Sequence, residues 1–147
     1  MPFNWITANQ SWFTFAIQAG EPAFDNLGVY AFSGVEKICS PYEFTVEVVS
    51  KDSNLDLTGM LGFDCLLTVA DKSGGKRLIH SVIRQAEQLR TGNEYTLYRM
   101  RTVPRLWFLT QTQDQRIYQH QTVPQIIETV LDKHNFLGSS YAFKLRS

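Results

Sequence analysis

Charge is scarce in this chain of 147 residues: Asp, Glu, Lys and Arg together make up 19% of it, where soluble globular chains carry about 25%. What charge there is cancels, with 14 basic against 14 acidic residues. No net field draws the chain toward nucleic acid or an anionic membrane. Cysteine is limited to Cys39 and Cys65. Two thiols do not make the framework of a small secreted domain, and both are expected to be reduced, buried and inert, as in a cytosolic product. No apolar run approaches the ~20 residues of a membrane span. Met1 to Thr14 has no basic cluster ahead of an apolar run, so no secretory signal is expected.

Catalytic signatures are missing as well. His80, His120 and His134 have no His or Cys at ligand spacing, which argues against zinc. Of these, His80 lies in an expected strand and reads as a structural residue; His134, at the end of an expected helix, suits the negative end of the helix dipole. Lys72-Ser-Gly-Gly-Lys-Arg77 lacks the Gly-x4-Gly-Lys-Ser/Thr order of a phosphate loop and reads as a hairpin turn. There is no Gly-x-Ser-x-Gly elbow. Glu43 and Glu47 share a strand face, more in keeping with partners for arginine than with an acid/base couple. The reading is of a protein that is not an enzyme, with no catalytic, cofactor-binding or metal-binding residue and no cofactor.

What the chain has is aromatic and β-forming. Hydrophobic residues are 44%, and ten Phe, six Tyr and three Trp bring large side chains usually found in cores and interfaces. Phe13, Phe15 and Ile17 alternate with polar or small residues, the period of a half-buried strand. Residues 28–34 and 42–51 give two more, the latter with Tyr42, Phe44, Val46 and Val48 on one face. In residues 53–62, Leu57, Met60 and Leu61 suggest a helical turn stopped by Gly62. Strands follow at 64–71, 76–90 and 94–103, the last two joined across Thr91-Gly92-Asn93. Six antiparallel strands imply a barrel or a strongly curled sheet. Pro104 then breaks the pattern, and Pro104 to Leu109 reads as a helical turn or plug.

One helix is well marked. Thr122-Val-Pro-Gln125 has the form of a capping box with Pro124 in the first turn. Val123, Ile126, Ile127, Val130 and Leu131 make an apolar stripe expected to be buried, and Asn135 and Gly138 offer the stop. Tyr141 to Leu145 alternates again, as though a new sheet began there.

The cancelling charge is unevenly spread. Residues 1–75 hold nine acids and three lysines, 3 − 9 = −6, and residues 76–147 hold eleven bases and five acids, 11 − 5 = +6. Either the halves are neighbouring strands that pair internally, or the acidic surface of one copy meets the basic surface of the next.

Phe32-Ser-Gly-Val-Glu-Lys-Ile-Cys-Ser-Pro-Tyr-Glu-Phe44 resembles the opening of the VgrG proteins, the spike tips of type VI secretion systems. Four further strings follow in the family's order: Leu55-Asp-Leu with Leu61-Gly62, the paired strand ending in Tyr98-Arg99, Pro104-Arg-Leu-Trp107 with Leu109, and Arg116-Ile-Tyr-Gln119 leading to Thr122-Val-Pro-Gln-Ile126. Together they cover about residues 11–136. One departure is His80-Ser81-Val82, where the family commonly has His-Gly-Ile/Val, which puts a bulge or close backbone approach there in question. The resemblance implies a mainly β fold with one α-helix: an antiparallel β-barrel of phage tail-hub type followed by a linker helix, in a truncated chain. Residues 1–121 would be the first hub barrel. Residues 122–147 would hold the linker helix, about 122–136, and the first strand of a missing second domain. It further implies a homotrimeric ring in the full-length protein, docked on an Hcp-like tube, with baseplate and effector proteins as partners and neither nucleic acid nor a membrane in the resting state. Such a ring is assembled in the bacterial cytoplasm and then secreted or injected into the target cell. A phage tail hub or late control protein of the same superfamily remains an alternative, as does a binding barrel for single-stranded nucleic acid, suggested by Arg99 and Arg101 on one strand face, or for a small apolar ligand.

Overall fold

A computed structural model of the chain describes residues 12–18, 24, 27–71, 73–136 and 141–145. They fall into two compact units that divide between Trp107 and Phe108. The first contains β1 (Phe13–Ile17), β2 (Gly28–Lys37), β3 (Ser40–Ser50), β4 (Asp64–Ala70), β5 (Lys76–Thr91) and β6 (Thr96–Val103). A 3-10 helix (Arg105–Gln111) runs across the division, and α1 (Val123–Lys133) belongs to the second unit.

The six strands form one antiparallel sheet in the order β1-β4-β5-β6-β3-β2. Its curl originates in β5. The first part of this strand, Lys76 to Val82, pairs with β4, and the part from Val82 to Thr91 pairs with β6. A strand that changes neighbours midway turns a corner, and corners of this kind are made at bulges. The register slips at Arg84, between Ile83 and Gln85. At the same corner Ser81, Val82 and Ile83 are buried in succession, where a flat strand would alternate. The curl brings the outermost strands together: Phe13 of β1 meets Phe32 of β2 edge to face, ring centroids 5.1 Å apart. Among the described residues no ladder joins β1 to β2. The expected barrel is thus a curled sheet whose seam is bridged by side chains.

The core follows the predicted alternation. Phe44, Val46 and Val48 of β3 and Tyr98 and Met100 of β6 point inward, at 5% exposure or less. Burying each such side chain contributes on the order of 1.5–3 kcal/mol. Tyr98 keeps its polar end satisfied, donating to the Asp52 carbonyl at 2.9 Å. The expected turn at 53–62 contains one α-type bond, Met60 N–H to the Asp56 carbonyl at 3.2 Å. It delivers Met60 fully into the core and ends at Gly62, whose φ is +87°.

Two expectations are corrected. The β2 strand runs on to Lys37 and turns into β3 through Ile38 and Cys39 alone, with Lys37 opposite Ser40. Cys39 takes φ 63° and is exposed, as is Ile38 at 95%. Only Cys65 is the buried thiol expected of both, and burial pushes its pKa up to about 12. The second correction concerns α1. Its start is as predicted, the Gln125 carboxamide oxygen accepting from the Thr122 N–H at 2.8 Å and from its hydroxyl at 3.0 Å. Its end is a Schellman motif: Asn135, at φ 60°, donates to the Asp132 carbonyl and Phe136 to the Leu131 carbonyl, both at 3.0 Å. Yet the apolar stripe is only partly covered: Val123 is 68% and Ile127 41% exposed, Ile126 and Val130 are half-buried, and only Leu131 is buried. Gly138, the other expected stop, lies outside the described residues. Tyr141 to Leu145 forms no strand among the described residues, and its Tyr141 and Phe143 rings meet edge-on at 5.8 Å.

Candidate assembly surfaces

The acidic and basic halves of the sequence meet inside the first unit. Arg77 binds Glu36 at 2.5 Å, Arg84 binds Glu43 at 3.4 Å, Arg99 binds Glu47 at 2.8 Å and Arg105 binds Asp64 at 2.8 Å. Each is a base from residues 76–147 on an acid from residues 1–75. Internal pairing therefore accounts for much of the charge division that the sequence left open. The topology brings partners together: Glu47 lies opposite Arg99 in the β3–β6 register. β6 ends at Val103, opposite Val82, so β3 and β5 both run past it and converge. There the Tyr42 hydroxyl donates to the His80 carbonyl, and burial raises the Tyr42 pKa above its ordinary value, with the Ser81 hydroxyl opposing. His80 itself is exposed on the outside of β5.

The residues that carried the resemblance acquire physical roles here. Gly34 sits opposite Phe44, and a Cβ at Gly34 would lie 2.2 Å from two Phe44 ring carbons. Only glycine lets that ring lie flat over β2. Glu36, two residues on, holds Arg77. Pro104 ends β6, and its carbonyl accepts from the Trp107 N–H at 2.8 Å to begin the 3-10 helix. The helix is pinned by Arg105, one guanidinium nitrogen of which reaches both Asp64 oxygens at 2.8 Å. It is pinned again by Trp107, whose ring lies 5.0 Å under the Arg84 guanidinium. Arg84 reaches Trp107 because it is the bulged residue of β5. No sequence pattern foretold that bulge. Ser81, in the place of the family's usual glycine, pairs in regular register with Cys65, and the bulge lies just beyond it.

On the outer face of the sheet Arg99 is held on both sides, by Glu47 and by Glu87 at 3.2 Å, and its charge is reinforced by these bonds. Arg101 has no carboxylate partner among the described residues, and its Nε is buried without a hydrogen bond. In the second unit Asp114 receives Lys133 at 2.5 Å and Arg116 at 2.8 Å. The Lys133 hydrogen bond, helped by Arg116, holds its carboxyl below the usual carboxylate range. This group, beside His134 in a cleft of about 300 Å³, is neutralised by its neighbours and poorly suited to take a proton in a reaction. His80 and His120 do not line it. Among the described residues no three His, Cys, Asp or Glu side chains could share a metal ion, and no helix is long and apolar enough to cross a membrane.

Exposed apolar side chains are instead the prominent surface feature: Ile38 and Val35 at the β2–β3 tip, Leu78 on β5, and Ile117, Val123 and Leu145 in the second unit. These side chains are the candidates for contact with other proteins.

Similarity to known proteins identifies the family. Residues 35–147 match the phage tail baseplate hub (GPD) family. The type VI secretion system spike protein VgrG4b of Pseudomonas aeruginosa is 36% identical over 138 residues, 94% of this chain and 16% of that protein. The actin cross-linking toxin VgrG1 of Vibrio cholerae is 28% identical over 131 residues, covering 83% of this chain and 12% of that one. Among solved structures, the E. coli c3393 protein superposes with a TM-score of 0.78 at 28% identity, over 91% of this chain and 36% of that one. That protein is described as a component of the type VI secretion system with structural similarity to the T4 bacteriophage tail proteins gp27 and gp5. The chain spans about a sixth of the length of its curated VgrG4b relative. With a curled antiparallel sheet, a following helix and these relatives, the chain belongs to the phage tail baseplate hub family and resembles the VgrG spike proteins of type VI secretion.

Proposed function

We propose that the chain is the first hub barrel of a type VI secretion spike, with a structural rather than a catalytic role. Three copies of the full-length protein form a ring that docks on an Hcp-like tube and carries a puncturing needle and effectors. The ring is built in the cytoplasm and leaves the cell with the spike. Residues 122–136 link the barrel to a second one. The observation that carries the reading is the combination of a finished core with an open apolar surface: Tyr98 and Met100 are fully buried while Ile38, Val123 and Leu145 face outward. A subunit meant to be covered on assembly has that pattern. Both alternatives as binding barrels fit less well. Arg99 is already engaged by two carboxylates, and the space for an apolar ligand is filled by Tyr98, Met60, Met100 and Ile83. Sedimentation of the full-length protein, alone and with the tube protein, tests the reading. A trimer that co-sediments with tubes is expected; a monomer that ignores them would overturn it.

A further inference from the structure

The outer face of β3, β6 and β5 carries a charge pattern that its own residues leave incomplete. Register sets three rows across these strands: Thr45–Arg101–Gln85, Glu47–Arg99–Glu87 and Val49–Leu97–Arg90. The middle row, one arginine between two glutamates, has net charge −1. Each flanking row has one arginine, Arg101 or Arg90, without a carboxylate partner among the described residues, and so a net charge of +1. Along the strands the face therefore reads plus, minus, plus. Rows two residues apart are separated by about 6.8 Å, which puts the outer rows about 13.5 Å apart. Beyond the Arg90 row lies a cleft of about 360 Å³, bounded by Tyr30, Val49, Leu97, Tyr95 and Arg90.

We propose that this face receives an extended acidic segment of a partner protein. The segment has carboxylates at positions i and i+4 over Arg101 and Arg90, a base at i+2 over the Glu47–Arg99–Glu87 row, and a large apolar side chain at i+6 in the cleft. The charge sequence selects this occupant. A wholly basic segment would meet two unpaired guanidiniums, and a wholly acidic one would set a carboxylate against the middle row. Like charges brought together in this way oppose binding, whereas complementary ones fix register. An extended strand supplies the spacing because its side chains repeat on one face every second residue. The Arg101 Nε is buried and has no hydrogen bond among the described residues, so the segment's carboxylate bonds the terminal nitrogens of that guanidinium. The inference concerns this face and does not depend on ring assembly.

The test is a titration of the nitrogen-15-labelled 147-residue chain with the peptide Glu-Thr-Lys-Thr-Glu-Thr-Phe, followed by amide and arginine Nε signals. Shifts should cluster at Arg90, Leu97, Arg99 and Arg101 and fade as salt is added. The charge-reversed peptide Lys-Thr-Glu-Thr-Lys-Thr-Phe should give shifts at least tenfold weaker at equal concentration. R90Q/R101Q should abolish the response and R90K/R101K should retain part of it. Both variants lie on an outward face, and unchanged amide dispersion will show that they fold. Equal response to the two peptides, shifts centred on Lys37, Lys51 or Lys76, or binding that survives R90Q/R101Q would overturn the proposal.

Discussion

The two units are built on opposite principles. In the sheet, every inward position from Phe44 to Val48 and from Thr96 to Met100 is buried, and even the one large polar group among them, the Tyr98 hydroxyl, is bonded. In the second unit the helix has both of its ends in order and its middle unfinished. A capping box and a Schellman motif satisfy backbone groups at either end, while Val123 and Ile127 stay open. Caps make a helix form; a covered stripe makes it stay. In the sheet the inward apolar face is covered, and in the helix part of the apolar stripe stays exposed.

The comparison breaks first in the core. Tyr98→Ala removes a fully buried ring and its bond to the Asp52 carbonyl. It should cost about 3–5 kcal/mol, seen as a large drop in the denaturation midpoint. A loss below about 1 kcal/mol would mean that the β3–β6 core is looser than its packing indicates. Gly34→Ala comes next. The new methyl must displace the Phe44 ring, and overpacking of this kind costs about 1–3 kcal/mol. A neutral result would show that Phe44 has room to rotate.

The helix should respond weakly. Its apolar pattern alone gives the expectation that Ile127 is buried and that a charge there would be ruinous. With Ile127 41% exposed, Ile127→Asp should cost less than about 1 kcal/mol in this chain. In the ring proposed for the full-length protein the same change should act at an interface instead, lowering recovery of the complex while leaving the melting of the isolated chain nearly unchanged. Equal damage in both would place the stripe in this chain's own core.

Most of the sheet was legible because its residues alternate strictly and glycine marks its turns. Val46 and Val48, or Gly74 and Gly92, say where they belong without tertiary help. The Ile38–Cys39 turn was not legible, since neither residue is a turn former and Cys39 takes φ 63° only because the two strands demand it. The Arg84 bulge was hidden for a related reason. It exists because β5 changes neighbours, which no local pattern records, and with it stayed hidden the stacking on Trp107. The charge division was visible as a sum and its meaning was not. Deciding between internal pairs and a copy-to-copy surface required knowing that Glu47 pairs opposite Arg99 and that β3 and β5 converge beyond the end of β6.

The smallest expected effect is electrostatic and belongs to the second unit. Asp114 is held below its ordinary 3.8, chiefly by the Lys133 hydrogen bond and then by Arg116. A carboxyl whose pKa is lower folded than unfolded stabilises the fold above its unfolded value, and that contribution disappears as pH falls through the folded one. The pair Asp114–Lys133 joins α1 to the segment before it, so its loss should loosen the end of the helix. Because both groups are solvent-exposed, the effect should be small and weakened by salt. Asp114→Asn should therefore lower the protection of the Lys133 and His134 amides near neutral pH. The difference from the unmodified chain should vanish once the acid limb has been passed. A difference that persists unchanged at the lowest pH would mean that Asp114 acts through shape or hydrogen bonding rather than through its charge.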